Sequence, residues 1–271
     1  MLSLRHAPPP ALAPYIDCFW YSRGRQPQQR RQRALPTGRV DLVFNLQCDR
    51  IRTFRDANDT MGICLGGAIL HGAQSRYFVL DASADVHVLG VHFRAGGGAA
   101  LLGLPASELT DRHVALEDVW GARASRVREQ LMAADEPGSM FAILEREFLR
   151  RISLPLLVHP AISFALRRLD TDLAAAKVSA LPKATGYSER RFGTLFNQAV
   201  GLSPKLYARV RRLGRVVEQI AAGEQQLIDV ALANGYYDQS HLNREFREFA
   251  GVTPGSYRPM QDRSALHMEV E

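Results

Sequence analysis

The chain is poor in cysteine: of 271 residues only Cys18, Cys48 and Cys64 are thiols, they form no CxxC pair, and one would be left over if two were bridged. That spacing excludes a disulfide framework and a zinc knuckle, and it fits a reducing cytoplasm. No run of about 18 apolar residues occurs, and the opening "MLSLRHAPPPALAP" is broken by prolines before an apolar core of signal-peptide length can form. Membrane spanning and secretion are therefore not expected. There is no His-x-His pair, and His87 and His92, five apart on one strand, point to opposite faces. His71, His87 and His92 are thus expected to be satisfied or surface histidines, with no metal and no cofactor. The glycine runs "GGAILHG" and "AGGGAALLG" lack both a following Lys-Ser/Thr and a GxGxxG, so they read as turns, not phosphate cradles. No lone cysteine sits with a histidine in a nucleophile motif, and an enzyme is not expected.

Acid is also in slight deficit. Lys+Arg 34 against Asp+Glu 28 gives a formal charge of +6, which favours anionic partners without naming one. The 46% apolar content and the length suffice for two globular domains. From Tyr15 to Phe93 the pattern is strand-like, with "YIDCFWY", "VDLVFNL", "RYFVLD" and "VHVLGVHF" separated by turn residues. After that, "RASRVREQLMAAD" and "MFAILEREFLRRI" carry helical spacing. An α+β domain is expected over residues 1–151, β-rich and barrel-like, followed by helices. The basic segment Arg23 to Arg33 reads as a solvated loop between strands, with phosphate contact as its alternative use. "SLPLLVHP" punctuates the chain, and an all-α domain is expected over residues 160–262.

Within that second domain the sequence repeats. "ATGYSERRFGTLFNQAVGLSPKLY" and "ANGYYDQSHLNREFREFAGVTPGSY" match, allowing one inserted residue, at Gly186/Gly235, Phe196/Phe246, Gly201/Gly251, Pro204/Pro254 and Tyr207/Tyr257. In each copy a short helix meets a glycine suited to a left-handed turn, and then Ser188 or Asp238 caps a second helix. Helix, glycine turn, helix is the helix-turn-helix pattern. A long helix from Pro204 to Ala222, with Leu206, Val210, Leu213, Val217 and Ile220 on one stripe, is expected to join the two copies. With Leu242, Phe246 and Phe249 buried, Ser240, Arg244 and Arg247 point outward, flanked by Gln239 and Asn243. These are amides and guanidiniums that can pair with purine edges in a major groove. The first copy, with Phe192, Leu195, Phe196 and Ala199 inward, exposes Glu189, Arg190, Thr194 and Asn197. Gly193 costs roughly 1 kcal/mol in a helix interior, and Pro182 is tolerated only in the first turn of its helix. The alternative is a pair of packed helical hairpins with solvated faces.

"LIDVALANGYYDQSHLNREFREFAGVTPGSYR", Leu227 to Arg258, closely resembles the signature of the AraC/XylS family of bacterial transcription regulators. The resemblance covers roughly the last hundred residues. It implies seven helices holding two helix-turn-helix units that enter successive major-groove segments on one DNA face. By motif position it assigns Gln239, Ser240, His241 and Arg244 as readers in the second unit, and Arg190, Arg191 and Thr194 in the first. The family commonly has arginine where Thr194 stands, a longer polar residue at Gly193 and alanine at Pro182, so the second copy is expected to read bases and the first to hold phosphate. "LPTGRVDLVFNL" and "GVHFRAGGGAALLGLPASELTD" look like the sensor domains that precede this DNA-binding domain in some members. Double-stranded DNA is the expected partner, with RNA polymerase, a small-molecule effector at the N-terminal domain and a second copy of the chain as further candidates, activation as the candidate outcome and no membrane. A reading of another class, a β-rich ligand-binding or catalytic domain whose helical tail serves a protein partner, has no catalytic constellation behind it.

Overall fold

The computed structural model describes residues 2–25, 30–82, 85–152, 158–171, 178–223, 226–259 and 266–270. In chain order its strands are β1 (Leu2–His6), β2 (Ile16–Arg25), β3 (Arg30–Ala34), β4 (Asp41–Asn45), β5 (Arg50–Phe54), β6 (Ile63–Gly66), β7 (Ala68–His71), β8 (Phe78–Ala82), β9 (Asp85–Phe93), β10 (His113–Ala115) and β11 (His267–Glu269). The helices are α1 (Gly97–Leu102), α2 (Leu116–Trp120), α3 (Ala122–Met132), α4 (Pro137–Arg151), α5 (Pro160–Thr171), α6 (Leu181–Thr185), α7 (Glu189–Val200), α8 (Pro204–Ala221), α9 (Leu227–Ala233) and α10 (Gln239–Ala250), with short 3-10 turns at Ala106–Glu108, Val178–Ala180 and Pro254–Ser256.

The strands form two antiparallel sheets, ordered β1-β2-β9-β4-β7-β10 and β11-β3-β8-β5-β6. They remain separate, so the barrel-like expectation is replaced by two open sheets. Alternation explains how the first sheet is used: Leu42 and Phe44 of β4 are fully buried while Asp41, Val43 and Asn45, which alternate with them, are not. The Leu42 face packs on α1 to α4, where Phe148 meets Phe19, Phe93 and Trp120 with ring centroids 6.3, 5.7 and 5.7 Å apart. The opposite face looks toward the second sheet.

Three expectations change here. "AGGGAALLG" contains helix α1, not a turn: a Cβ on Gly97 would come 2.2 Å from the Tyr15 carbonyl oxygen, so glycine serves close packing there. "GGAILHG" likewise holds strand β7, whose four residues are all buried. The basic segment is no solvated loop where it is described, because Arg23 to Arg25 end β2 and Arg30 to Arg33 lie in β3; positions 26–29 fall outside the described residues. Within β3, Gln32 is fully buried, and the Arg31 guanidinium lies 3.8 Å from the Phe54 ring centre. A strand so rich in arginine survives because guanidiniums can lie flat on aromatic rings at the sheet surface.

A second core gathers apolar residues of α5 to α10, including Phe192, Phe196, Leu213, Leu242 and Phe246, together with Leu35, Ala73 and Met268 from outside the helical region. Six α-helices, where the resemblance implied seven, stand in this region among the described residues, with 3-10 turns at Val178–Ala180 and Pro254–Ser256. Pro182 sits in the first turn of α6, where it displaces no intrahelical hydrogen bond. The tail strand β11 was not anticipated. It pairs with β3, bringing Met268 opposite Arg33. The "SLPLLVHP" junction falls largely at 153–157, outside the described residues.

Candidate nucleic-acid interface

The two copies of the repeat fold alike. Gly186 has φ 76° and Gly235 φ 75°, left-handed values that only glycine adopts cheaply. Across each turn an amide closes back on the preceding helix, Tyr187 N–H to Pro182 O at 3.1 Å and Tyr236 N–H to Ala231 O at 3.0 Å. Ser188 Oγ accepts from Arg191 N–H at 3.3 Å and Asp238 Oδ1 from His241 N–H at 2.6 Å, so both second helices carry side-chain caps. The matched aromatic pairs also make the same contact: Phe196 on Tyr207 at 5.7 Å and 65°, Phe246 on Tyr257 at 5.9 Å and 72°.

Helix α8 joins the units, with Val210, Leu213 and Val217 buried and Leu206 and Ile220 packed at the edge of the core. Its arginines are internally occupied. Arg209 Nε donates to Glu245 at 2.8 Å, Arg212 Nη2 to Glu245 at 2.9 Å, Arg211 pairs with Asp170 at 3.3 Å and Arg215 donates to the Asp170 carbonyl at 2.5 Å. Glu245 also accepts from the Tyr236 hydroxyl at 2.9 Å. Burial alone would raise the Glu245 pKa, but Arg209, Arg212 and Tyr236 outweigh it and hold the carboxyl below its usual range. Sequence reasoning missed this network, although its signal is visible: Glu245 falls between Leu242, Phe246 and Phe249 on the inward side of the helical wheel.

The outward faces are different. Arg190 and Arg191 on α7, and Arg244 and Arg247 on α10, are exposed and form no ion pair among the described residues. Gln239, Ser240, Thr194 and Asn197 share this exposure, whereas Asn243 is half-buried. Two expected readers have other engagements. The Thr194 hydroxyl donates to the Arg190 carbonyl at 3.0 Å, and His241 packs edge-on against Tyr236 at 5.2 Å while its Nδ1 accepts from Tyr237 N–H at 3.4 Å. Tyr237, 87% exposed beside the start of α10, went unremarked in the sequence as a surface feature.

His71, His92 and His113 sit in the first domain. His71 and His113 face each other through their Nδ1 atoms at 2.7 Å, and His92 Nδ1 lies 2.7 Å from Asp41. Among the described residues no three metal-ligating side chains converge, and no helix is long and apolar enough to cross a membrane.

Residues 181–260 match the family described as a helix-turn-helix domain, and residues 4–115 match one described as a domain of unknown function (DUF6597). The chain is 29% identical over 79 residues to the uncharacterized HTH-type transcriptional regulator YbfP of Bacillus subtilis, an overlap covering 29% of this chain and 27% of that protein. It is 25% identical over 109 residues to the multiple antibiotic resistance protein MarA of Escherichia coli, covering 40% of this chain and 84% of MarA. The probable transcription factor PqrA of Proteus vulgaris is 26% identical over 96 residues, 34% of this chain and 79% of PqrA. Among solved structures, ToxT of Vibrio cholerae O395 is similar over 88% of this chain and 96% of its own, at 11% identity and a TM-score of 0.47. Two capped helices repeated around α8, with the matching relatives, lead to one assignment: the C-terminal region is an AraC-type helix-turn-helix domain, similar to that of transcription regulators such as MarA.

Proposed function

We propose that the protein is a sequence-specific DNA-binding transcription regulator in which α10 reads bases and α7 contributes mainly backbone contacts in a neighbouring major-groove segment. The observation that carries the reading is the sorting of arginines. Those on α8 are spent on internal carboxylates and carbonyls, while Arg190, Arg191, Arg244 and Arg247 stand exposed and unpaired on the capped helices. An unpaired guanidinium that reaches a purine edge reads sequence, whereas one that reaches a phosphate oxygen fixes register. Gln239, Ser240 and Arg244 are assigned to bases, with Asn243 beside them. Arg190, Arg191 and Arg247 are assigned to phosphate and register, Thr194 and Asn197 to the first unit's contact, and His241 to bracing the turn against Tyr236.

Residues 1–151 form the regulatory domain in this reading and 160–262 the DNA-binding domain, in a protein that works in the cytoplasm, where Cys18, Cys48 and Cys64 stay free. An effector or self-association at the first domain modulates DNA binding, and RNA polymerase is the expected partner at the promoter. The resemblance alone supports the last of these.

The test is selection of bound duplexes from a random DNA pool by the full chain, with Arg244→Ala and Arg247→Ala in parallel. Arg244→Ala is expected to cost about 1–3 kcal/mol and to blur one position of the enriched motif. Arg247→Ala is expected to weaken all sequences alike and to lower the salt slope by about one. Equal, sequence-blind losses from both would overturn the division of roles.

A further inference from the structure

Between the two sheets lies a cavity of ≈ 510 Å³, within the roughly 300–1,000 Å³ typical of ligand pockets. Its existence follows from which side chains line it. On the helix-covered face of the first sheet, Phe19, Tyr21, Leu42, Phe44, Leu89 and Val91 are buried in a filled core. The alternate residues of the same strands, among them Trp20, Ser22, Asp41, Val43 and His92, turn toward β3 and β8 and line the cavity. Two packed sheets normally interleave bulky apolar side chains on both inner faces. Here polar side chains such as Ser22, Asp41 and His92 interrupt the apolar ones on the inner face, and space remains.

Charge inside this space is already cancelled. Arg39 Nη1 lies 3.2 Å from Asp17 and its Nε 3.7 Å from Asp41, and Asp41 also takes His92 at 2.7 Å. The neighbouring His71–His113 pair is held neutral by burial, at about 3 and about 4 respectively, so the protein supplies no further cation there. Arg5 reaches the lining from the exposed edge strand β1. An ion entering the interior would give up hydration with only Arg5, at the exposed edge, to meet it.

The floor is aromatic. Trp20 lies directly over Gly90, where a Cβ would come within 2.3 Å of the indole, so glycine at that register position lets the ring rest on the sheet. Its neighbour His92 lies 5.6 Å away and 28° from parallel. Trp20 Nε1 is buried and has no hydrogen-bond partner among the described residues, an expensive state for a donor. A flat π surface, mainly apolar walls and the Trp20 donor, with Arg39 Nε and His87 Nε2 also lacking a hydrogen-bond partner among the described residues, define a complementary molecule.

We propose that this cavity binds an uncharged, planar, largely apolar small molecule whose hydrogen-bond acceptor takes the Trp20 indole N–H. Leu266 and His267, from the tail that follows the DNA-binding domain, line the same cavity, so the ligand touches both ends of the chain. The inference rests on reading residues 1–151 as a sensor and not on DNA recognition. Binding is therefore measured without DNA, and a failed duplex selection would leave it standing.

The experiment titrates the full chain with N-phenyl-1-naphthylamine, a neutral fluorescent probe, and then displaces it with 2-naphthol or 2-naphthoate, equal in shape and unlike in charge. Saturable binding is expected, with 2-naphthol the better competitor by about tenfold, the size of one unmet desolvation of roughly 1.4 kcal/mol. Ser22→Phe, which fills the space, is expected to abolish probe binding. Trp20→Phe, which keeps the ring and removes the donor, is expected to weaken 2-naphthol about fivefold, as for one neutral hydrogen bond. Thermal melting checks that each variant is folded. No probe binding to the parent chain, or binding untouched in both folded variants, would overturn the site. Competition by 2-naphthoate equal to or better than 2-naphthol would overturn the neutral class and point to Arg5 and an anion.

Discussion

Two glutamates illustrate how single residues tie the helical layers together. Glu147 is clamped between Arg123 at 2.5 Å and Arg151 at 3.1 Å, and Glu245 between Arg209 and Arg212, each carboxyl about 5% exposed or less. Glu245→Gln leaves Arg212 without a counter-charge and Arg209 with Glu248 alone, and should lower stability by about 2–4 kcal/mol in urea unfolding. The pKa of Glu245 is depressed from 4.5, so its contribution is fully present above about pH 4.5 and is lost as pH falls through the lower folded value. In the variant that acid-limb loss should be smaller. The His71–His113 pair acts at milder pH. Burial, joined for His71 by the adjacent His113, holds the pair at about 3 and about 4, while the unfolded imidazoles take protons near 6.5. The stability present above pH 6.5 is therefore lost as pH falls from there toward 4, on the order of 1–3 kcal/mol between pH 7 and 5. Replacing both by glutamine should flatten that slope in urea midpoints measured across the window; an unchanged slope would show that the pair is not the source.

Among the elements, the two helix-turn-helix units depend on small local devices. Removing a cap with Ser188→Ala or Asp238→Ala should cost about 1 kcal/mol each, read as lowered melting temperature with the helical circular-dichroism signal kept. Gly186→Ala should cost about as much for a different reason. Nothing lies within 4 Å of the added Cβ, so only the left-handed backbone at φ 76° is penalised. Gly193→Ala should do the opposite and stabilise by about 1 kcal/mol, because its Cβ would also meet open space and α7 is regular helix there. The caps, turns and outward arginines were legible in the sequence because they obey short-range rules and appear twice. The engagements of Thr194 and His241 were not, since each depends on a hydroxyl or ring orientation that helical periodicity leaves open.

The two halves of the molecule are joined by more than the segment between them. Thr110 Oγ1 donates to the Gly201 carbonyl, Tyr77 N–H donates to the Phe249 carbonyl at 2.7 Å, and Gly251 sits against the Tyr77 ring. Leu35 and Ala73 enter the helical core, and β11 returns to the second sheet with Met268 only 3% exposed. Ending the chain after Pro259 should therefore destabilise the sheet as well as remove the tail. A loss of about 2 kcal/mol is expected from the buried methionine alone. Amide hydrogen exchange would find β3 deprotected in the shortened chain; unchanged protection of β3 would show that β11 adds nothing to the sheet.

The sequence by itself determined whatever follows from local chemistry and repetition: four of the strands from alternation, the capped helix pairs from Gly186, Ser188, Gly235 and Asp238, and the outward set of Arg190, Arg244 and Arg247 from a 3.6-residue wheel. Only the tertiary structure decided which residues distant in the chain meet. It drew the arginine-rich β3 and the C-terminal β11 into one sheet, set Glu245 among α8 arginines more than thirty positions away, and left a cavity where Trp20 rests on Gly90. The physical reason is that periodicity reports which side of an element is buried, whereas the partner it is buried against is chosen by packing and charge pairing over the whole chain.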